Sequence, residues 1–494
     1  MSTRESLQTL VKEKLGDSLF IVVSNREPYI HEWAGDRINC LKPPSGLTTA
    51  LDPVMHSCRG IWIAHGGGSA DRDVVDEHDK VPVPPENPHY FLKRVWLTKQ
   101  EEDGYYYGLA NGALWPLCHV AYTRPSFSES AWSMYKRVNE VFASVVLEEV
   151  GHRKAFVFVQ DYHLALVPRL IKERNPNITV AQFWHIPWPN PEVMRICPWQ
   201  EELLLGLLGN DLLGFQIRYY SDNFLNTVNS SLECRVDWER HEVCRAGHKT
   251  VVQSFPISID FAQISRESKQ PRVTQEIARL KKQLRIGNEI VGLGIDRIDY
   301  TKGLPDRLRA IDRFFEKYPR YAKQVVFVQV GAPSRIHLDS YKRIHADVET
   351  LVERINWKHA SGHWKPIIYL NGANMSPLSI AALRRMARFC VVSSLHDGMN
   401  LVAKEFVASR FDEDGVLILS PFTGASRELA DHALVVNPYA TDQFADALRQ
   451  AVEMRPRERR RRMRIMRSIV QENNIYKWAE DITLELLKFQ ARTR

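Results

Sequence analysis

Arg297 and Lys302 lie five positions apart in the stretch Gly292–Pro305, which reads GLGIDRIDYTKGLP. The apolar run before them has strand composition, and Gly303 and Pro305 open a segment of helical character. Two cations ahead of a helix start can face one phosphate group, because the first-turn amides and the helix dipole favour an anion there. An ordinary strand–helix loop closed by an ion pair, such as Arg297 with Asp299, would use the same residues. A second stretch, Asp397–Glu405 (DGMNLVAKE), makes a turn after a strand and continues as helix from Leu401. Backbone amides near Met399–Val402 can hold a phosphate. Glu405, one helical turn in, can accept from vicinal hydroxyls, and Asp397 can reach hydroxyls on the other side of the phosphates. A capped helix with a solvent-facing glutamate reads the same way. Taken together, the two stretches suit a diphosphate between a nucleoside and a sugar. Cleaving the sugar requires stabilised charge on the leaving group, which Arg, Lys and a helix N-terminus supply without a metal. No isolated pair of carboxylates stands out, which disfavours a double-displacement glycosidase.

Polar residues also follow strand-like runs in the first half. Arg26 follows Leu19–Ser24, His65 follows Gly60–Ala64, Asp161 follows Ala155–Val159, and His185 follows Val180–Trp184. In parallel sheets ligands sit outside the carboxyl ends of the strands, so these four would line one crevice. The triple glycine Gly66–Gly68 lets backbone approach a ligand, or forms a plain flexible loop. Tyr105–Trp115 is aromatic, interrupted by glycine, and reads as a loop suited to sugar faces or as core.

The elements that must position these residues alternate strand, polar end and helix. In the second half the runs Gln324–Val330, Pro366–Leu370, Phe389–Ser393, Val416–Ser420 and Ala433–Val436 repeat the pattern. The fold class expected is α/β, with two Rossmann-like domains facing across a cleft. Their expected extents are 1–258 and 259–474, with a terminal helix over 475–494 packing back on the first. The polar stretch Gln263–Lys282 reads as a separator, and Asp71–Pro88 as an exposed loop.

A chain of 494 residues, 44% hydrophobic and 25% charged, predicts at least two domains of a globular protein. No apolar run suits a bilayer, and the start has no secretory pattern, so a cytoplasmic location and no membrane partner are expected. Seven scattered cysteines without a C-x-x-C pair predict free, mostly buried thiols, and no histidine spacing predicts a metal site. The net charge of +7 is concentrated in Arg455–Arg467, read as the solvated face of a helix rather than a nucleic-acid surface.

The segments SNREP, SGL, ALWP, QDYHL, HIPWP, DLLGFQ, DRIDYTKGLPDR and DGMNLVAKE occur in order from about Phe20 onward. Together they resemble the trehalose-6-phosphate synthase family of retaining GT-B glycosyltransferases. The resemblance implies transfer of glucose from a nucleotide sugar, typically UDP-glucose, to glucose 6-phosphate, giving α,α-trehalose 6-phosphate. It implies no cofactor and no metal, with nucleotide sugar and sugar phosphate as the small-molecule partners, and leaves room for a homo-oligomer. On the donor side it implies Arg297 and Lys302 at the diphosphate, Asp397 at the glucosyl hydroxyls and Glu405 at the ribose. Leu401 and Val402 would meet phosphate through backbone, Gly46 would lie near the diphosphate, and His185 would bind the sugar. On the acceptor side it implies Arg26, Tyr106, Asp161 and Arg335 holding glucose 6-phosphate, with Trp115 and His65 nearby. Arg297, Lys302, Asp161 and Asp397 are the candidate catalytic residues of a front-face substitution. The chain departs from the family pattern at Ser45, His65, Asn374 and His396, which bear on acceptor and base. Another phosphorylated acceptor such as glycerol 3-phosphate, a nucleotide-sugar isomerase or hydrolase, and a silent sensor remain alternatives. No separate phosphatase domain is expected after the terminal helix.

Overall fold

The structure is a computed structural model that describes residues 2–16, 18–43, 46–372 and 375–490. The chain forms two units, Met1–Ile257 with Ile475–Arg494, and Ser258–Asn474. Among the described residues the first unit has seven parallel strands: β1 (Leu19–Arg26), β2 (Ile61–His65), β3 (Tyr90–Val95), β4 (Ala155–Gln160), β5 (Thr179–Trp184), β6 (Leu212–Phe215) and β7 (His248–Ser254). Their order is β7-β6-β5-β4-β1-β2-β3, and short antiparallel strands extend both edges. The second unit has β8 (Ile290–Arg297), β9 (Val325–Ala332), β10 (Ile367–Asn371), β11 (Phe389–Val392), β12 (Val416–Leu419) and β13 (Leu434–Val435). All are parallel, in the order β10-β9-β8-β11-β12-β13.

Both sheets begin in the middle, grow one way for three strands, and return to the other side for the rest. That is the doubly wound Rossmann order, with a reversal point between β1 and β4 in one unit and between β8 and β11 in the other. The strands are near-continuous apolar runs because helices cover both faces. β9, VVFVQVGA, is buried along seven of its eight residues, which fits a strand enclosed on both sides.

The helices that matter below are α1 (Arg4–Leu15), α2 (Gly46–Cys58), α3 (Glu129–Val150), α4 (Leu304–Lys317), α5 (Leu401–Ser409), α6 (Pro456–Glu472) and α7 (Ile475–Gln490). α4 buries Leu304, Leu308, Ile311, Phe314 and Phe315, a stripe at helical spacing, against the core of the second unit. α7 belongs to the first unit. Its Trp478 donates to the Phe255 carbonyl at 3.1 Å and packs against Phe158 and Phe183, with ring centroids 5.9 and 5.2 Å away. No helix among the described residues is long and apolar enough to cross a membrane.

The structure departs from the sequence expectations in five places. Tyr105–Trp115 is no loop: Asp103–Leu114 is a helix with the wide i→i+5 pattern, continuing into Trp115–His119. Its glycines permit close packing instead of breaking the helix. A Cβ on Gly104 would lie 2.6 Å from Met134 Cγ, and one on Gly108 2.9 Å from Ala131 Cβ, both on α3. Asp71–Pro88 is not wholly exposed. Asp71 is fully buried, and Lys80–Val83 pairs antiparallel with β3, burying Val81 and Val83. Gln263–Lys282 lies in two helices, Phe261–Ser268 and Pro271–Leu284, which bury Phe261, Val273 and Leu280 within the second unit. The basic run forms α6, and its arginines are not all solvated. Arg459 is buried on Asp414 at 2.5 Å, Arg462 donates to the Ala433 carbonyl, and Arg467 to those of Val407 and Ala408. All seven cysteines are free thiols, but three are buried and four are half-buried.

Replacing Trp478 by alanine removes an indole that is 3% exposed. We expect it to destabilise the first unit by roughly 3–5 kcal/mol. Urea unfolding followed by circular dichroism measures the loss, and an unchanged midpoint would contradict the packing role.

Candidate active site

In the second unit, β8 ends in Asp296 and Arg297, and a tight turn over Tyr300–Lys302 leads into α4. Lys302 Nζ reaches Asp397 Oδ2 at 2.5 Å, across 95 residues of sequence. The same oxygen accepts from Ser394 Oγ at 3.1 Å and Asn400 Nδ2 at 3.2 Å, so Asp397 is fixed before any ligand arrives. Asn400 is the N-cap of α5 and accepts from the Ala403 amide. The amides of Leu401 and Val402 therefore fall in the first turn, where an α-helix has no internal partner for them. Glu405 follows one turn later and forms an ion pair with Arg384. Arg297, Lys302, Asp397 and the start of α5 thus gather at the reversal point between β8 and β11.

Beneath them lies a fully buried guanidinium. Arg307, on α4, donates to Asp296 at 2.5 Å, Gln329 at 2.9 Å and Ser393 Oγ at 2.9 Å. Ser393 Oγ in turn contacts the carbonyls of Lys302 and Gly303. The network joins β8, β9, the end of β11 and the Lys302 turn. It also explains one glycine of the opening motif. A Cβ on Gly294 would lie 2.4 Å from Arg307 Nη1 and 2.5 Å from Gln329 Oε1.

Asp299, also fully buried, accepts from Thr301 and from the Tyr341 hydroxyl at 3.1 Å. Burial opposes its ionisation, but the charges of Arg335, Arg297 and Lys302 hold its carboxyl below the ordinary range. The Arg335 side chain is 4% exposed, lies 3.5 Å from Asp299 and donates to Tyr341. Its guanidinium is therefore already oriented by this buried carboxylate.

In the first unit the reversal point between β1 and β4 carries Arg26 and Asp161. Arg26 Nη2 donates to the Tyr106 hydroxyl at 3.0 Å, and the Tyr106 ring stacks on His163 at 5.6 Å. Asp161 takes φ = 69°, an uncommon conformation for a residue other than glycine. The strand ends hold it there, its amide donating to the Phe183 carbonyl at 2.7 Å and its carbonyl accepting from Gln182 at 2.9 Å. Its carboxylate accepts the His185 amide at 3.2 Å. The His185 ring pairs with Gln160 at 2.9 Å, and burial pushes its pKa down to about 3, so the ring is neutral in ordinary buffers. The structure thus brings Arg26 to Tyr106, and Asp161 to His185.

The remaining expected residues divide. His65 ends β2 opposite Arg26, with Nδ1 on the Val95 carbonyl at 3.1 Å. Gly46 opens α2. Trp115 is core: it is 5% exposed and packs on His119 and Tyr162. His396 is half-buried one residue before Asp397, while Ser45 and Asn374 lie outside the described residues.

The family model described as Glycosyltransferase family 20 matches residues 18–488. The chain belongs to glycosyltransferase family 20. The resemblance drawn from its motifs is therefore borne out. Among its relatives, the trehalose-6-phosphate synthase of Mycolicibacterium smegmatis is 36% identical over 476 residues, covering 94% of this chain and 91% of that protein. The bifunctional trehalose-6-phosphate synthase/phosphatase of Thermoproteus tenax is 36% identical over 479 residues, covering 94% of this chain. The chain spans only 63% of that relative's length. Among solved structures, an α,α-trehalose-phosphate synthase (UDP-forming) from Burkholderia xenovorans in complex with glucose-6-phosphate superimposes with a TM-score of 0.85. It is 29% identical, covering 95% of this chain and all of that one. An E. coli trehalose-6-phosphate protein bound with UDP-2-fluoro glucose gives a TM-score of 0.84 at 30% identity, covering 95% and 99%. The α/β, GT-B fold class expected from the sequence holds for this family 20 chain.

Sequence reasoning missed Arg307 and Arg384. The signal for Arg307 was present: an arginine interrupts the apolar stripe Leu304, Leu308, Ile311 on the inner face of α4. Nothing in the sequence pairs Arg384 with Glu405. Gly294→Ala forces a methyl into the Arg307–Gln329 contact, and overpacking of this kind costs about 1–3 kcal/mol. We expect that loss in chemical denaturation together with a fall in turnover; full retention of both would refute the spacing role.

Proposed function

We propose that this family 20 protein transfers glucose from UDP-glucose to glucose 6-phosphate with retention, forming α,α-trehalose 6-phosphate. The observation that carries the reading is the meeting of Lys302, Asp397 and the N-terminus of α5 beside Arg297 at one strand reversal. Cations and first-turn amides together suit a diphosphate leaving group. The choice of donor and acceptor draws on the relatives, which carry these compounds in their names or in their bound states.

In the proposed reaction the bond between the donor's anomeric carbon and its phosphate oxygen breaks. The acceptor hydroxyl oxygen bonds to that carbon from the same face, and its proton passes to the departing phosphate oxygen. Arg297 and Lys302 stabilise the charge that develops on the diphosphate. Asp397, held by Lys302, Ser394 and Asn400, accepts from glucosyl hydroxyls, and Glu405 from the ribose. Leu401 and Val402 donate backbone amides to phosphate, and the family resemblance assigns Gly46 to the diphosphate and neutral His185 to the donor sugar. Arg26, Tyr106, Asp161 and Arg335 hold the phosphorylated acceptor, with His65 in support. Trp115, packed on His119 and Tyr162, supports the acceptor side from the core. No metal ion and no cofactor are required, since positive charge is supplied by side chains, and the protein works in the cytoplasm.

Release of nucleoside diphosphate is the deciding assay, run with UDP-, GDP- and ADP-glucose against glucose 6-phosphate and glycerol 3-phosphate, with and without chelator. UDP-glucose with glucose 6-phosphate should be fastest, and chelation should not slow it. Release indifferent to any acceptor would favour a hydrolase instead. Arg297→Ala should lower turnover by roughly a hundredfold or more, the scale of losing one transition-state charge partner. An unchanged kcat removes its assigned role. Arg335→Ala should raise the KM for glucose 6-phosphate while leaving that for UDP-glucose alone, and equal loss of both contradicts an acceptor role.

A further inference from the structure

The three glycines after β2 do not play equal parts. A Cβ on Gly66 would lie 2.6 Å from the Trp96 ring and 3.1 Å from Arg94 Cδ. One on Gly68 would lie 2.4 Å from the His31 carbonyl and 2.9 Å from Asp71 Cγ. On Gly67 it would meet nothing within 4 Å. Two glycines are thus taken up by internal packing, and only Gly67 presents open backbone. The loop is pinned through its amides: Gly66 donates to the Val95 carbonyl, Gly67 to Glu27 at 3.3 Å and Gly68 to Asp71 at 2.6 Å.

Behind those two carboxylates lies Arg94, fully buried on β3. Its Nε donates to Glu27 at 2.9 Å and its Nη2 reaches Asp71 at 2.6 Å. Nη1 donates to the Asp71 carbonyl at 2.7 Å, and Nη2 also to His31 Nδ1 at 2.8 Å. A guanidinium can only donate, so His31 accepts at Nδ1. The buried cluster then holds two acids against one cation. With both acids ionised it would bury a net negative charge, which costs several kcal/mol, and one proton removes that cost. Asp71 accepts the amides of His31 and Gly68 as well as the Arg94 pair, and so keeps its charge. The proton falls to Glu27. Burial first, and then its hydrogen bond to Asp71, raise the Glu27 carboxyl from 4.5 to about 9 against the pull of Arg94.

Glu27 directly follows Arg26, and the β1–β2 register sets Arg26 opposite His65, where the glycine loop begins. We propose that Glu27, in its uncharged form, is a positioning residue for the phosphorylated acceptor, locking the Gly66–Gly68 backbone to Arg94 and Asp71 beside Arg26. When Glu27 loses its proton, the cluster gains an uncompensated charge, the loop loosens, and a negative charge stands next to the Arg26 that meets the phosphate. The proposal rests on the acceptor role of Arg26 given above. Among the described residues, Arg94 on β3 and Asp71 in its turn act directly on Glu27, with Arg26 and Tyr29 on its own segment, His65 on β2 opposite Arg26, and His31 and Cys40 on the antiparallel hairpin of Ile30–Ala34 with Arg37–Leu41. Burial pushes the Cys40 thiol up to about 11 and the Tyr29 phenol higher still, which leaves Glu27 as the group whose shifted pKa lies near 9.

The native state binds this proton more tightly than the unfolded chain, so the stabilisation is complete below 4.5 and is lost as pH rises through about 9. The test measures KM for glucose 6-phosphate and for UDP-glucose between about pH 7.5 and 9.5, above the phosphate's own second ionisation. In the wild type the acceptor KM should rise roughly threefold to tenfold, as for one added charge near a screened phosphate. The donor KM should not follow. Glu27→Gln, which stays uncharged, should hold the acceptor KM flat across the range. A Glu27→Gln profile that tracks the wild type, or a wild type without an acceptor-specific rise, overturns the proposal. The wild-type profile decides alone if the variant does not fold. Arg26→Ala separates the two readings: an unchanged acceptor KM there removes the acceptor role itself, whereas a raised one with a tracking Glu27→Gln removes only the inference about Glu27.

Discussion

The guanidinium of Arg307 ties the carboxyl ends of β8, β9 and β11 into one rigid edge, and the candidate donor site stands on that edge. Its partners are Asp296, Gln329 and Ser393, one from each strand or its immediate end. A buried ion pair adds little net stability over a well-packed apolar core, but losing one partner strands the other charge and is costly. Here the arrangement fixes geometry. Asp296 sits directly before Arg297, and Ser393 touches the carbonyl of Lys302, so both cations are referenced to a single buried group. The glycine at 294 is the space that this group occupies.

The two units use one charge logic on different sheets. In each, a cation ends the first strand and an aspartate follows the fourth: Arg26 with Asp161, and Arg297 with Asp397. The doubly wound order makes those strands neighbours, so residues over a hundred positions apart in the first unit and a hundred in the second arrive at one place. The aspartates are held differently. Asp397 is fixed by side-chain donors, whereas Asp161 is fixed by its own backbone, which the adjoining strand holds at a positive φ.

Most of this frame was legible in the sequence because enclosed parallel strands are apolar runs, and because a polar residue just past such a run marks a carboxyl end. Arg26, Asp161, Arg297 and Asp397 were readable for that reason. What escaped was whatever depended on distant partners. Glu27 and Arg94 are 67 positions apart, and neither lies in a periodic pattern that announces the other. The stretch Tyr105–Trp115 looked like a loop because glycines interrupt it, yet those glycines let a wide helix press against α3. The arginines of α6 looked solvated because composition does not show that Arg467 closes the carbonyl end of α5, the helix whose opposite end faces the proposed phosphate. Arg384 beside Glu405 was invisible on the same ground.

The first unit is discontinuous in sequence, completed by α7 only after the whole second unit has been made. During synthesis the ribosome therefore exposes β4 and β5, with Phe158 and Phe183, long before the Trp478 that covers them exists. The second unit, a single unbroken segment, can fold as it emerges, while the earlier-made sheet waits half-finished for α7. Residues made after the second unit thus act as the closing clasp of a domain begun before it, and a nascent chain stalled anywhere before Ile475 carries an open apolar seam.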